Sequence, residues 1–568
     1  MSYKKTNSLL ARLSYRYPNN YSIKMKSICL SFVIGLLALT SNAQTTLNKD
    51  SLASDFSYLV HLLESTHPDP YSGFGGKVFF YKAANNVLED LQKSPYTETT
   101  FVNKVNTFLS NIHDGHTTLQ QSMKSGHSER YAQRIAFRVI PDGLIVDGIS
   151  TSHKDLLGAR LDSINGLPVT ELLKRMEYLY PCENIYGSYN DLCWQANQEN
   201  LLRQLGTKFT NSIRYSLHTP DNKSVILSLP FVNSDSLKNI PITFTPASEK
   251  SPAKNLSYQF ADKEKHVMIM RISEIMAREN YEYCWEHKWN GAYDDIKNYY
   301  KYNLKKSMPC DTIKAIAGIP SFSEVFAQML NQMKKYRSEY LIVDLRNNGG
   351  GWTPIVLPSL LMMFGDNYIT KNMNTEFDRL ISPLYLQKIH MTLDEFNRQQ
   401  GTHYKIGDYI SEVDKYSVNH STDSLRKKFI QNCMSASRPL LTKLRGKPLY
   451  HPQHIYVITD PGTFSAAFHY AFFLWRMGAT IVGVPSSQSP NTYMENTPFC
   501  LPYTHLFGSI SNSMQIFLPV NNKRAKIFYP DLMPTYQDYK RYGFDANTEV
   551  LYLLDNIAKM TSTKCVQN

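Results

Sequence analysis

His454-Ile-Tyr-Val-Ile-Thr-Asp-Pro-Gly-Thr-Phe-Ser465-Ala-Ala-Phe-His-Tyr-Ala-Phe-Phe-Leu-Trp-Arg-Met-Gly478 is the stretch whose reading decides the fold. Ile455 to Ile458 is a β-branched and aromatic run, Asp460-Pro461-Gly462 breaks it, and Phe464 to Met477 reads as an apolar helix stopped by Gly478. A strand, a tight turn and a helix thus set Ser465 at a helix start, where the first backbone N–H groups lack intrahelical partners. Such a bend suits a nucleophile whose product oxygen becomes negative. Serine is also a common cap at helix starts, and this stretch alone does not separate the two roles.

A second stretch narrows the choice. Tyr340-Leu-Ile-Val-Asp-Leu345 is a short apolar strand, and Arg346-Asn-Asn-Gly-Gly-Gly351 follows it before Thr353-Pro354 opens another helix. A glycine-rich turn at a strand end can aim backbone N–H groups at an anion. It has neither the Lys-Ser/Thr ending of a phosphate loop nor GxGxxG spacing.

Together, Asp344-Leu-Arg-Asn-Asn-Gly-Gly-Gly351 and Thr463-Phe-Ser-Ala-Ala467 resemble the tail-specific, or C-terminal-processing, serine peptidases and their tricorn-core relatives. The resemblance implies that Ser465 is the nucleophile. It also implies an oxyanion hole made by the backbone N–H of Ala466 and of Gly349 or Gly350. His113-Asp-Gly-His-Thr-Thr-Leu119 extends the likeness, because many exported members carry Asp-Gly-His-Thr after an N-terminal helical segment. The match is Asp114-Gly-His-Thr117, so His116 inherits the role of general base. A neutral imidazole can take the serine proton and later give it to the leaving amine. No metal or organic cofactor is implied, and the expected partner is a polypeptide substrate.

The chain has 568 residues, 42% of them hydrophobic, which allows several domains with sizeable cores. Met25 to Ala43 carries a charge, an apolar run and a small-x-small ending at Ser41 and Ala43. It reads as a secretory signal cleaved before Gln44, with Met25 as an alternative start, and it is too short to serve as a stable transmembrane anchor. The chain is therefore expected to be exported to the periplasm or cell envelope, or secreted. Net charge is +12, and removing the six cations of residues 1–43 leaves +6. There is no dense basic run with interleaved aromatics, so nucleic acid is not an expected partner. Seven cysteines follow the signal, without CxxC spacing, which argues against a zinc ribbon; Cys182 and Cys193 are the nearest pair for a disulfide.

Three helical runs precede His116: Leu52 to Leu63, Val78 to Leu91 and Phe101 to Ile112. Beyond it, Ile140 to Asp147 and Leu157 to Val169 alternate short strands with Asp-Gly and Asn-Gly turns. Gly158-Ala-Arg-Leu-Asp-Ser-Ile-Asn-Gly166 resembles the PDZ-like module with which family members hold a chain end as an added strand. His266 to Ile272, the amphipathic helix Glu324 to Tyr336 and the strand Tyr340 to Leu345 then suggest a buried, largely parallel sheet. Thr480–Val484, Phe499–Pro502 and Met514–Leu518 are expected to continue that sheet, and Glu549–Ile557 to close it.

The expected architecture is α/β: a ClpP/crotonase-like peptidase core over 256–562, with a helical N-terminal domain (44–125) and a PDZ-like β-rich middle (130–245). Insertions at 275–318 and 370–450 are expected to be loops and helices rimming the cleft. Two departures from the family matter. Gly483 to Glu495, where tail-specific enzymes place a catalytic lysine, holds none, which leaves serine–histidine chemistry. Before Pro530-Asp531, where the tricorn type has a glutamate, stand Arg524 and Lys526. Asp531, Asp114 and Glu495 remain as candidates to orient the histidine, and a catalytically weak homologue that binds peptides or other ligands is the alternative function.

Overall fold

Apolar residues at helical spacing give the three expected N-terminal helices: α1 (Lys49–Thr66), α2 (Lys77–Lys93) and α3 (Glu98–Leu109). Asn48 caps α1 by accepting the N–H groups of Asp50 and Ser51, and Thr97 and Thr100 form a capping box at α3. Phe56, Phe80, Phe101 and Phe108 fill the space between them. The computed structural model describes residues 46–121, 130–252, 256–289, 291–371, 373, 375–413 and 421–567. The expected export signal at 1–43 lies outside the described residues. Among the described residues no helix is long and apolar enough to cross a membrane.

From this helical layer β1 (Thr118–Leu119) reaches across to pair antiparallel with the strand Phe507–Ile516. The middle segment is an eight-stranded sheet. Its strands are β2 (Arg130–Ala132), β3 (Ile135–Ile140), β4 (Gly143–Ser150), β5 (Arg160–Ile164), β6 (Leu167–Pro168), β7 (Ser212–His218), β8 (Ser224–Asn233) and β9 (Ile242–Phe244). The main order is β2-β8-β7-β5-β4-β3, with β6 on β5 and β9 on β4. Helices α4 (Val169–Glu177) and α5 (Ile185–Gln195) pack Leu172 and Leu192 into the same core as Val146, Leu161 and Leu217.

The remaining chain builds the α/β layer from β10 (Leu256–Phe260), β11 (Val267–Ile272), α6 (Phe322–Tyr336), β12 (Tyr340–Asp344) and α7 (Leu357–Phe364). It continues through β13 (Glu376–Leu380), β14 (Tyr409–Val413), β15 (His454–Thr459), α8 (Ala466–Arg476), β16 (Thr480–Gly483), β17 (Asn491–Cys500), β18 (Phe507–Ile516) and α9 (Thr548–Gln567). One sheet runs β10-β11-β12-β15-β16, parallel except for β10. Phe326, Leu360, Phe468 and Phe472 cover one face; Val550, Leu553 and Ile557 of α9 cover the other. Burial on both faces explains why these strands read as unbroken apolar runs.

Three expectations need correction. Among the described residues β16 is the one strand that extends the parallel sheet beyond α8, with an isolated parallel bridge from Val482 to Leu532 at its edge. β17 and β18 form an antiparallel ribbon that belongs to a second sheet, with β1, β13 and β14. That ribbon buries Ser509, Ser511, Ser513 and Gln515 on one face, a period-2 polar pattern that no apolar-run criterion would detect. The 370–450 insertion likewise supplies a strand pair, β13–β14, besides helices. Cys182 and Cys193 are both free thiols, so the nearest pair is not bridged.

At the end of β12 the fully buried Asp344 carboxylate receives Arg271 Nη1 at 2.7 Å and Arg346 Nη2 at 2.8 Å. Arg346 also donates to Glu549 at 2.6 Å and to the Ala546 carbonyl at 2.7 Å, tying the strand end to α9. Burial alone would raise the Asp344 pKa, but the two guanidinium groups hold it well below the usual carboxylate range. A depressed folded-state pKa contributes stability above the unfolded value, near 4, that is lost as pH falls through the folded one. Asp344→Ala, which leaves Arg271 without its carboxylate and Arg346 with Glu549 alone, is expected to lose about 3–5 kcal/mol in urea unfolding. An unchanged midpoint would contradict this account.

Candidate active site

The two turns at the C-terminal ends of β12 and β15 are stitched together. Thr463 Oγ1 donates to the Leu345 carbonyl at 3.0 Å, and the Phe464 N–H to the Asn348 carbonyl at 2.9 Å. Between them Ser465 takes φ 55° and ψ −126°, a conformation that a side chain adopts only when its surroundings hold it there. The Ser465 N–H donates to Gln488 Oε1, and the Ser465 carbonyl accepts the His469 N–H at 3.0 Å. The Ala466 N–H heads α8, where no intrahelical acceptor exists.

The glycine run presses against this bend. At Gly350, φ is +102° and a Cβ would lie 2.6 Å from Ser465 Cβ and 2.9 Å from the Ala466 nitrogen. Its N–H donates to Asn348 Oδ1 at 3.0 Å. Gly349 is exposed, with no atom within 4 Å of the point where a Cβ would stand, and its N–H has no acceptor among the described residues.

His116 arrives from the helical layer in a loop fixed at both ends. Asp114 Oδ1 accepts the His116 N–H at 2.8 Å, Asp114 Oδ2 accepts the Thr117 hydroxyl, and His67 Nε2 lies 3.3 Å from the same oxygen. Burial would raise the Asp114 pKa, but the His67 and Thr117 hydrogen bonds and the two imidazoles bring it down to about 2. Ser509 of β18 donates to the His116 carbonyl at 2.6 Å. The imidazole itself stacks on Phe464, the neighbour of Ser465, with ring centroids 4.5 Å apart and planes at 27°. The ring is 5% exposed, and neither of its nitrogens has a hydrogen-bond partner among the described residues.

Of the three carboxylates considered for orienting this ring, only Asp114 is near it, with Oδ1 3.8 Å from Nδ1. Asp531 instead accepts the Ile481 N–H at 2.9 Å and pairs with Arg524 at 2.7 Å. Glu495 pairs with Arg379 at 2.9 Å. The Arg524 guanidinium also packs over Trp475 and Phe528, so the cation standing in the expected glutamate region is already neutralised.

Two residues of the site were not singled out from the sequence. Glu183, in the middle segment, places Oε1 3.4 Å from His116 Nδ1, out of line for a hydrogen bond. Its Oε2 accepts the Ser489 N–H at 2.8 Å, and burial pushes its pKa up. Gln488 holds the Ser465 N–H through Oε1 while its Nε2 is buried without a partner among the described residues. Nothing local marks either residue; the Asn184 N-cap beside Glu183 was the nearest signal. Asp114, His116 and Glu183 offer ligand atoms within 4.8 Å of one another. Both Asp114 oxygens already accept hydrogen bonds, so the set suits a histidine–carboxylate contact better than a cation.

One helical turn from Ser465, His469 is fully enclosed, with Nδ1 2.8 Å from Thr353 Oγ1 and Nε2 2.7 Å from Gln515 Oε1. Burial pushes its pKa down to about 4.

Residues 315–500 match the model of peptidase family S41. No curated protein matches the chain. Among solved structures, mature CPAF superposes with a TM-score of 0.53 at 14% identity, covering 89% of this chain and 98% of that one. Mature CPAF complexed with lactacystin gives 0.51 at 15% identity, covering 89% and 99%. At these identities the likeness shows a shared fold.

Gly350→Ala is expected to displace the serine bend and to lower the rate of Ser465 labelling by a fluorophosphonate at least ~100-fold. Gly349→Ala, which meets open space and keeps its N–H, is expected to label like the parent. Equal behaviour of the two variants would refute the assigned packing. For His469, the unfolded chain takes a proton near pH 6.5 while the folded one resists until about 4, so stability falls as pH drops through that window. His469→Gln is expected to flatten the pH dependence of the urea midpoint there.

Proposed function

We propose, from the match of residues 315–500 to the model of peptidase family S41, that the chain is a serine-type peptidase that hydrolyses polypeptides through an acyl-enzyme, with Ser465 as nucleophile and His116 as general base. The observation that carries this reading is the stacking of the His116 ring on Phe464, which sets a buried imidazole with unpartnered nitrogens beside the strained serine.

His116 takes the Ser465 proton through Nε2 as Oγ attacks the peptide carbonyl, then hands it to the leaving amine. Water repeats the sequence on the ester and regenerates the hydroxyl. The carbonyl oxygen, negative in the tetrahedral state, is received by the Ala466 N–H at the start of α8 and by the Gly349 N–H. Gly349 is favoured over Gly350 because the Gly350 N–H is engaged by Asn348. Gly350 acts as the spacer that lets the two turns touch. The apolar run and small-residue ending at 25–43 support export, so the substrates are polypeptides outside the cytoplasm.

The mature chain from Gln44 is expected to react with a fluorophosphonate, to lose the label in Ser465→Ala, and to slow by roughly 10⁴-fold or more in His116→Ala. Hydrolysis of an unfolded polypeptide in ¹⁸O-water should place the isotope in new carboxyl ends. A folded parent that neither labels nor cleaves would overturn the proposal.

A further inference from the structure

We propose that Glu183 is the positioning carboxylate for His116, supplied by the middle segment in place of the glutamate that the family resemblance led one to expect before Pro530. The proposal rests on the reading of His116 as the general base. A serine–histidine pair needs a third group that holds the ring with Nδ1 protonated, so that Nε2 is free to accept, and that stabilises the imidazolium formed during attack.

Three observations select Glu183. It is buried, and its Oε1, 3.4 Å from His116 Nδ1, has no hydrogen-bond partner among the described residues, so one lone pair faces the ring unused. A small rotation of the imidazole would bring the Nδ1–H into line. Asp114, the nearest competitor, lies further away, and its oxygens already serve the His116 backbone, Thr117 and His67. Its work is to fix the loop.

The third observation is how Glu183 is held. Oε2 takes the Ser489 N–H, while the neighbouring Asn184 side chain donates to the Ser486 carbonyl at 3.2 Å and the Ser487 carbonyl at 3.1 Å. Ser489 Oγ in turn donates to the Lys526 carbonyl at 2.6 Å. One oxygen of the carboxylate is thus anchored to the loop after β16, leaving the other for the histidine. During reaction Nε2 gains the Ser465 proton, Nδ1 keeps its own and directs it at Oε1, and Glu183 remains the anion. The ionisable groups facing this carboxylate are His116 and Asp114, with His67 behind Asp114.

The test combines two readouts on Glu183→Gln and, should that variant fold poorly, on Glu183→Asp. The first is the fluorophosphonate rate as a function of pH. Glu183→Gln is expected to slow it by about 10²–10⁴-fold and to move its midpoint to lower pH, because the imidazolium loses a negative neighbour. The second needs no activity: the far-downfield proton NMR signal of a histidine–carboxylate pair, assigned by its loss in His116→Ala. It is expected to move upfield in both Glu183 variants. A parent that shows this signal and its shift but never labels would sustain the Glu183 contact and sink the catalytic reading. A parent that labels, with Glu183→Gln matching it in rate profile and resonance, would overturn the role of Glu183 alone.

Discussion

A negative charge buried at the end of the central strand governs the architecture. Asp344 is enclosed and cannot remain ionised without partners, so Arg271 of β11 and Arg346 of the following turn must converge on it. Arg346 then reaches α9 through Glu549 and Ala546, and Arg271 also donates to the Arg346 carbonyl. The strand end, its parallel neighbour and the covering helix are locked at one point, from which the glycine turn departs. Preorganised N–H groups are effective only if their origin does not wander, and this cluster fixes the origin.

From that point strain passes to the serine bend. The unfavourable φ of Ser465 is held by Asn348, Leu345 and Gln488, residues belonging to two other turns. The loop after β16 has a double task. It carries Ser486, Ser487, Gln488 and Ser489, which bind the serine bend on one side and Asn184 and Glu183 on the other.

What the sequence made legible was local. The apolar run of β15, the break at Asp460-Pro-Gly and the helix beyond it were readable because each depends on neighbouring residues, and the observed bounds differ from the expected ones by a residue or two. Ser465, His116 and the glycine turn were marked by short motifs that resemble a known family's, and the structure brings the three motifs together around the serine bend. Glu183 was not, because its importance arises from packing between segments hundreds of residues apart, and nothing in its surroundings distinguishes it from the other carboxylates. The choice between Gly349 and Gly350 also required coordinates, since it turns on which N–H Asn348 already binds. Only the C-terminal ends of β17 and β18 fell within expected strands, because their buried serines and glutamine give no apolar run, and a strand's own residues do not say which sheet it joins.

The groups gathered around the serine bend stand on three separately cored layers: His116 on the loop that leaves the helical layer, Glu183 between α4 and α5 of the middle segment, and Ser465 at the head of α8. None of these layers carries a complete constellation. A chain with a single layer folded has the motifs but does not bring His116 to Phe464 beside the serine bend. The arrangement of Ser465, His116 and Glu183 is therefore a property of how the three layers dock, and a change at a layer boundary far from the serine bend can disturb it without touching any of the three.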